Sequence, residues 1–225
     1  MCIRDRKGTI SVEKTGEVFF GVNVFGEKDK DVIYQPVYTV KGLAGAVYEI
    51  TADEDIITPD GTLRYHKGDV VDTVTTDDEG FAKSKELYLG KYTVVEIKAP
   101  NGMVINNEKH SVELTYAGQD VAVTETVTSF YNERQKVKIS LEKVLEQNDT
   151  FGIGTNDEIK NISFGLYAKE DIVSSSGTVI PAEGLIEIIT LDENGTAIAN
   201  TDLPFGSYYI KEIATDEQMC IRDRM

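Results

Sequence analysis

The sequence predicts an all-β protein built as two tandem β-sandwich modules, the second of them truncated. Short runs rich in Val, Ile, Thr, Tyr and Phe alternate with Gly, Pro and Asp turn signals along the whole chain. No segment keeps the hydrophobic period of an α-helix. The first half of the chain also recurs in the second half at one offset, which is the pattern of a repeated module.

Length and charge exclude several classes of protein. The 225 residues allow one large domain or two small ones. The 23 Lys and Arg stand against 39 Asp and Glu, a formal net charge of −16, so we expect no nucleic-acid partner and no docking on anionic lipid. No apolar run approaches the roughly 20 residues that span a bilayer, so we also expect no membrane contact in this segment.

The two ends of the chain carry the same hexapeptide, Met1–Arg6 and Met219–Arg224. A natural repeat diverges, and this one resembles the translation of a transposon end used in preparing sequencing libraries. We therefore interpret residues 1–6 and 219–225 as non-native and expect the remainder to be cut from a longer protein. Both cysteines lie in these copies, so the remainder offers no disulfide, thiolate nucleophile or Cys-type zinc site.

Turn signals divide the first half into short strands. Between them lie short runs rich in Val, Ile, Thr, Tyr and Phe, as expected for strands joined by turns. These signals are Gly16, Gly42, Pro59-Asp60-Gly61, Lys67-Gly68, Glu79-Gly80, Gly90, Pro100-Asn101-Gly102 and Gly118.

The repeat appears when the chain is shifted by 116 positions. This shift places Tyr48 on Phe164 and Glu96 on Glu212, and many other strand and turn positions also match. We infer modules at residues 7–134 and 135–218, the second lacking its C-terminal strands. The linker, Glu133–Lys136, has neither Gly nor Pro, so we expect the modules to sit end to end with restricted hinging, as suits a stalk.

Strand alternation places charged residues on faces that should be buried. In the first strand Lys14 shares a face with Ile10 and Val12, and Lys143 occupies the matching place after Ile139 and Leu141. Taken singly, such a lysine at a strand end is more often solvated. Its recurrence in both modules favours a buried role, and an unpaired buried charge is very costly, so we expect partners.

Two glutamates and one asparagine supply candidate partners. Glu96 shares a face with Tyr92 and Val94, and Glu212 holds the same place in the second module. Asn132 shares a face with Phe130 near the end of the first module. Taken singly, a glutamate in a strand is usually solvated, and an asparagine after a strand is usually a turn residue.

Several segments resemble SpaA-type pilin domains, the prealbumin-like, Cna B-type modules of Gram-positive surface proteins. The resemblance covers nearly all of residues 7–218. The segments are Ser11–Gly16, Gly42–Tyr48, Thr76–Gly80, Leu89–Tyr92, Val95–Gly102 and Tyr131–Gln135.

The resemblance implies a bond between Lys14 and Asn132 that Glu96 assists. In a hydrophobic core a neutral lysine becomes a nucleophile and a protonated glutamate polarises the carboxamide, so ammonia leaves and an amide remains. The reaction happens once per molecule and is maturation, so we expect no enzyme and no cofactor. In the second module only Lys143 and Glu212 are present, and Ala214-Thr215-Asp216 stands where the first has Lys98-Ala99-Pro100.

The resemblance also implies a stalk module of a secreted, cell-wall-attached adhesin or pilin-like protein, anchored through a C-terminal region missing here. Expected partners are neighbouring modules of the same chain, with host surface ligands bound through other domains. The alternative is an adhesin module that itself contacts host matrix protein or glycan, which an exposed Tyr cluster would favour. A third class is the accessory domain of an enzyme whose catalytic domain lies elsewhere.

Other motifs predict turns or isolated residues. His66 and His110 have no spaced ligand partners, so we expect no metal site. Thr76–Gly80 lacks the alternating acidic spacing of a calcium loop and predicts a turn. Leu203–Gly206 superficially resembles a sortase signal but aligns with Leu87–Gly90 inside the module, so it also predicts a turn.

Overall fold

The computed structural model describes residues 6–26, 32–118, 121, 123–144 and 162–213. Within these ranges the chain forms strands and no helix, so none of the described residues belongs to a helix that could cross a membrane. The predicted all-β class is confirmed. The strands are β1 (Lys7–Phe25), β2 (Ile33–Gly42), β3 (Val47–Ala52), β4 (Ile56–Ile57), β5 (Leu63–Tyr65), β6 (Val70–Thr75), β7 (Phe81–Lys83), β8 (Leu87–Tyr88), β9 (Gly90–Lys98), β10 (Lys109–Leu114), β11 (Val123–Asn132), β12 (Ser140–Glu142), β13 (Ser163–Ala168), β14 (Ile172–Val173), β15 (Val179–Ile180), β16 (Leu185–Thr190), β17 (Thr196–Ile198) and β18 (Tyr208–Ile213).

The chain divides into two compact units. Unit 1 contains Met1–Val18 and Val40–Gln135, and unit 2 contains Phe19–Thr39 and Lys136–Met225. Residues 19–39, which the sequence prediction includes in the first module, thus group with unit 2. The module bounds 7–134 and 135–218 stay a prediction, and the terminal copies, apart from Arg6, lie outside the described residues.

Unit 1 packs two sheets around one core. One sheet has the order β10-β9-β3-β6. In the other, β11 runs parallel to β1 from Lys7↔Val123 to Gly16↔Asn132, while β7 and β8 pair with β1 in the antiparallel sense. Inward-facing side chains of both sheets form the core, because alternate residues of a strand point to the same face. Its most buried members include Ile10, Val12, Tyr48, Ile50, Leu87, Tyr92 and Val94.

Gly16 lies inside β1, so its reading as a turn signal is wrong. A Cβ atom at this position would come within 2.6 Å of the Leu43 side chain and 2.7 Å of the Asn132 carbonyl oxygen. Glycine is therefore needed here for the close approach of neighbouring backbone, which is another common reason for a glycine within a strand.

Unit 2 repeats the central strand pairings of unit 1. The strand β13 pairs antiparallel with β16 and β18, as β3 pairs with β6 and β9. In addition β12 pairs with β17, and β2 meets β16 at Ile33↔Leu185. The core of this unit includes Leu166, Ala168, Ile180, Ile186 and Leu203. The number of modules remains a prediction.

Candidate functional site: a buried lysine, glutamate and asparagine

Three strands bring Lys14, Glu96 and Asn132 to one point in the core of unit 1. Lys14 lies on β1 opposite Phe130 of β11, and Asn132 follows two residues later on the same face of β11. Glu96 projects from β9, in the other sheet, where it pairs with Tyr48 of β3. All three site residues are buried, with exposed fractions of 0%, 2% and 1% for Lys14, Glu96 and Asn132.

Glycine turns hold the backbone of Lys14. Its N–H donates to the Gly80 carbonyl at 2.7 Å, and its carbonyl accepts from the Leu43 N–H at 3.0 Å. Gly80 has φ of 83°, a left-handed conformation that favours glycine, and a Cβ there would lie 2.3 Å from the Lys14 carbonyl oxygen. The segments around Gly42-Leu43 and Gly80 thus fix the position of the Lys14 backbone.

The three side chains are in direct contact. Lys14 Nζ donates to Asn132 Oδ1 and lies 3.2 Å from Glu96 Oε1. Asn132 Nδ2 donates to Glu96 Oε1 and Oε2, each at 3.0 Å. An amine, a carboxamide and a carboxyl group are therefore in mutual contact, although Lys14 and Asn132 are 118 residues apart in the chain.

Aromatic rings enclose the amine. Lys14 Nζ lies 5.9 Å from the centroid of Tyr48 and 5.8 Å from that of Phe130. Burial in these surroundings lowers the pKa of Lys14, and the nearby Glu96 opposes part of that shift. Burial, together with Glu96, also raises the pKa of Tyr48, whose hydroxyl lies 3.5 Å from Glu96 Oε1. Lys14 therefore loses its proton more readily in this site than an exposed lysine does in water.

Asn106 belongs to the site although the sequence did not reveal it. Its backbone N–H donates to Glu96 Oε2 at 2.7 Å, and its Nδ2 donates to the carbonyl of Tyr131 at 3.1 Å. The residue follows the Pro100–Gly102 turn in a stretch without strand alternation. A backbone donor leaves no signal in residue type, so strand patterns could not have found this contact.

The second pair, Lys143 and Glu212, lies in a more open environment. Lys143 Nζ donates to Glu212 Oε2 at 2.9 Å within unit 2. The two side chains are 31% and 36% exposed, against 0% for both Lys14 and Glu96. The two lysine–glutamate pairs therefore differ mainly in solvent access.

The histidines take part in ordinary contacts. His110 stacks on Phe130 with ring centroids 3.9 Å apart, and its Nδ1 lies 2.7 Å from Thr128 Oγ1. His66 is mostly exposed, 3.8 Å from Asp55. Within the described ranges no group of three or more His, Cys, Asp or Glu side chains is arranged to hold a metal ion.

The two remaining motifs, Thr76–Gly80 and Leu203–Gly206, both lie in loops. Asp77 Oδ1 accepts from the N–H groups of Glu79 and Phe81 and closes the turn of Thr76–Gly80. Leu203–Gly206 lies between β17 and β18 inside unit 2, and its Pro204 carbonyl accepts a hydrogen bond from the Tyr208 hydroxyl at 2.6 Å.

Fold and site together define a β-sandwich domain with a lysine, a glutamate and an asparagine buried between its sheets. Residues 36–128 match the family model of the SpaA prealbumin-like fold domain. This match confirms the resemblance to SpaA-type domains seen in the sequence motifs.

The similar proteins include a streptococcal surface protein and a pilin. The chain is 27% identical over 139 residues to the trypsin-resistant surface T6 protein of Streptococcus pyogenes, which covers 60% of this chain and 24% of that protein. It thus spans about a quarter of that relative's length. The Bacillus anthracis TIE protein matches with a TM-score of 0.48 and 20% identity, over 93% of this chain and 46% of that one. GBS52, a minor pilin of Streptococcus agalactiae, matches with a TM-score of 0.35 and 19% identity, over 64% and 50%.

Proposed function

We propose that this chain is a stalk segment of a cell-wall-attached, pilin-like or adhesin surface protein, and that a self-formed Lys14–Asn132 isopeptide bond closes unit 1. The observation that carries the proposal is the contact of the Lys14 amine with the Asn132 carboxamide, next to Glu96 in a dry core. The SpaA family match supports the structural role, and the surface location of the T6 protein supports an extracellular one.

The hydrogen bonds suit a resting state in which both ionisable groups are charged. An ammonium of Lys14 donates to Asn132 Oδ1, while a carboxylate of Glu96 accepts from Asn132 Nδ2 and from the Asn106 N–H. Transfer of one proton from Nζ to Oε1, over 3.2 Å, makes both groups neutral. A half-turn of the carboxamide then lets its oxygen accept from the Glu96 carboxylic acid.

The neutral state is the reactive one. The free pair on Lys14 Nζ attacks Asn132 Cγ, whose carbonyl oxygen is hydrogen-bonded by the acid of Glu96. A Cγ–Nζ bond forms, the Cγ–Nδ2 bond breaks, and the proton lost from Nζ leaves on ammonia, with Glu96 relaying it. Amine and amide become a secondary amide and ammonia, so no cofactor or oxidant is required.

A bond at this place would serve a stalk. Lys14 lies on β1 and Asn132 on β11, the first and last strands of unit 1 within the described residues. Tension applied along the chain enters through these strands, so a covalent link between them would carry the force past the rest of the unit. Lys143 and Glu212 are proposed as the corresponding pair of the second module.

Intact-mass measurement of the full chain tests the bond. We expect a deficit of one ammonia, and digestion should yield a branched peptide that joins the Lys14 and Asn132 segments. Glu96→Ala should restore the full mass, because it removes the proton relay and leaves both reacting groups in place.

Glu212→Ala is the matched control for this experiment. It removes the corresponding carboxyl in unit 2, far along the chain from Asn132, so it should keep the deficit. A folded wild-type chain that stays at full mass after long incubation would overturn the proposed bond.

A further inference from the structure

We propose that Asn106 is a positioning residue that seals the Asn132 carboxamide from water, so that the Lys14 amine and not water attacks it. The inference rests on the proposed isopeptide bond and deepens it. It concerns which of two nucleophiles reaches Asn132 Cγ, a choice that the three buried side chains do not make by themselves.

An open groove lies beside Asn132. Its volume is about 490 Å³, room for several water molecules at about 30 Å³ each in the liquid. The groove is lined by Val104, Ile105, Asn106, Ser129, Tyr131 and Asn132, among other residues. Asn132 is nonetheless only 1% exposed, so something beside it keeps bulk water off the reacting group.

Asn106 connects the two strands that meet at this point. Its backbone N–H donates to Glu96 Oε2 at 2.7 Å, which fixes the carboxyl from the groove side. Its Nδ2 donates to the Tyr131 carbonyl at 3.1 Å, on the residue just before Asn132. The side chain is also braced, since its Oδ1 accepts from the Glu108 N–H at 2.9 Å. Asn106 thus holds the acid and the acceptor strand together at the edge of the groove.

Water and lysine would give different products from the same carboxamide. Attack by Lys14 forms a Cγ–Nζ bond, breaks Cγ–Nδ2 and releases ammonia, so the chain becomes lighter by one ammonia. Attack by water forms a Cγ–O bond, breaks the same Cγ–Nδ2 bond and also releases ammonia, but it leaves a carboxylic acid at position 132 and a slightly heavier chain. The mass of the peptide that contains position 132 therefore reports which nucleophile reacted.

The test follows the mass of the full-length chain after rapid cell-free synthesis, for wild type and for Asn106→Ala. The variant should form the ammonia-deficient product more slowly, by up to about a hundredfold as for other misplaced reacting groups. It should also accumulate the heavier, hydrolysed product, which wild type should not. Synthesis and incubation in ¹⁸O-labelled water would mark that product at position 132.

Two further variants separate positioning from general damage. Asn106→Asp keeps the shape of the side chain but removes the Nδ2 donor, so it should behave like Asn106→Ala even where the alanine variant fails to fold. Asn107→Ala changes the exposed neighbour that lines the same groove, and it should react as wild type does.

The outcomes distinguish this inference from the proposed function. A wild-type chain at full mass overturns the isopeptide bond, whatever Asn106 does. A wild-type chain with the deficit, together with Asn106→Ala and Asn106→Asp variants that lose ammonia at the wild-type rate without hydrolysis, overturns only the role of Asn106.

Discussion

Lys14 shows how burial alone changes what a common side chain can do. An exposed lysine is protonated at neutral pH and is a poor nucleophile. Enclosed by Tyr48 and Phe130 and placed against Glu96, Lys14 has its pKa lowered by the loss of water, and only part of this shift is offset by the acid. The chemistry proposed for the site follows from that balance.

The rate of bond formation should fall once the pH is high enough for Lys14 to lose its proton to solvent, because the reactive state needs that proton on Glu96. Burial lowers the pKa of Lys14, so this loss begins below the ordinary lysine value of 10.5. The measurement is the rate of ammonia loss from freshly synthesised chain at several pH values at which it stays folded. A rate that keeps rising from neutral pH to pH 10.5 would contradict this account.

Lys143→Ala should have only a small effect on stability. Its partner Glu212 and Lys143 itself are each about one-third exposed, and such pairs contribute about 0–1 kcal/mol. Urea unfolding should show a change within that range. Lys83→Ala, which breaks the exposed pair with Glu125 at 3.1 Å, provides a comparison of similar type. A loss of several kcal/mol only for Lys143→Ala would show that the unit 2 pair is more important than its exposure indicates.

At the scale of elements, glycines set the distances between β1 and its neighbours. Gly16 lets the Asn132 backbone approach β1, and Gly42 packs against the Glu79 carbonyl, where a Cβ would lie 1.9 Å from the oxygen. Gly80 receives the Lys14 N–H on its carbonyl. The strand that carries the lysine is thus positioned by residues that have no side chain.

Gly80→Ala should slow bond formation and destabilise unit 1. The new Cβ would meet the Lys14 carbonyl oxygen at 2.3 Å, so β1 or the turn must shift. The matched control is Gly61→Ala, because Gly61 has almost the same φ, 82° against 83°, with nothing within 4 Å of the added Cβ. The control should show only the roughly 1–2 kcal/mol of left-handed strain. Equal rates of ammonia loss in the two variants would argue against a positioning role for Gly80.

At the scale of the whole molecule, the proposed bond changes the unfolded state more than the folded one. Lys14 and Asn132 are separated by 118 residues, and linking them would close a loop of that length in the unfolded chain. By analogy with a disulfide, such a loop raises the free energy of unfolding by about 4–5 kcal/mol in the chain-entropy model.

Asn132→Ala should therefore unfold at lower denaturant concentration than wild type, with a loss of that order plus the loss of packing at the site. The contribution of the bond is isolated by Glu96→Gln, which we expect to remain unlinked while keeping Asn132. If linked wild type and unlinked Glu96→Gln unfolded at the same denaturant concentration, the loop argument would fail.

Pulling the chain from its two ends gives a second whole-molecule test. In wild type the residues between Lys14 and Asn132 should not extend, because the force passes through the bond. The fully stretched Asn132→Ala chain should be longer by roughly 400 Å, from the span of an extended residue. Single-molecule force spectroscopy measures this difference, and equal contour lengths would contradict a closed unit 1.

Strand alternation predicted the all-β class and the buried faces of Lys14 and Glu96, whereas Lys143 and Glu212, placed by the same argument, are about one-third exposed. Lys14, Glu96 and Asn132 each lie an even number of residues from core residues of the same strand. Alternate residues of a strand point to the same face, so these side chains lie on the buried face. The family resemblance came from short motifs around glycines, whose residue type is imposed locally by φ or by a close contact.

Tertiary structure alone decided the rest. Gly16 looked like a turn, but its lack of a side chain serves the approach of Leu43 and Asn132, which are distant in the chain. Asn106 enters the site through a backbone N–H and a link to the Tyr131 carbonyl, contacts that depend on how β9 and β11 face each other. Alternation along a strand specifies which face of the sheet a side chain takes. Which residue it contacts across the core depends on the packing of strands that are far apart in the sequence.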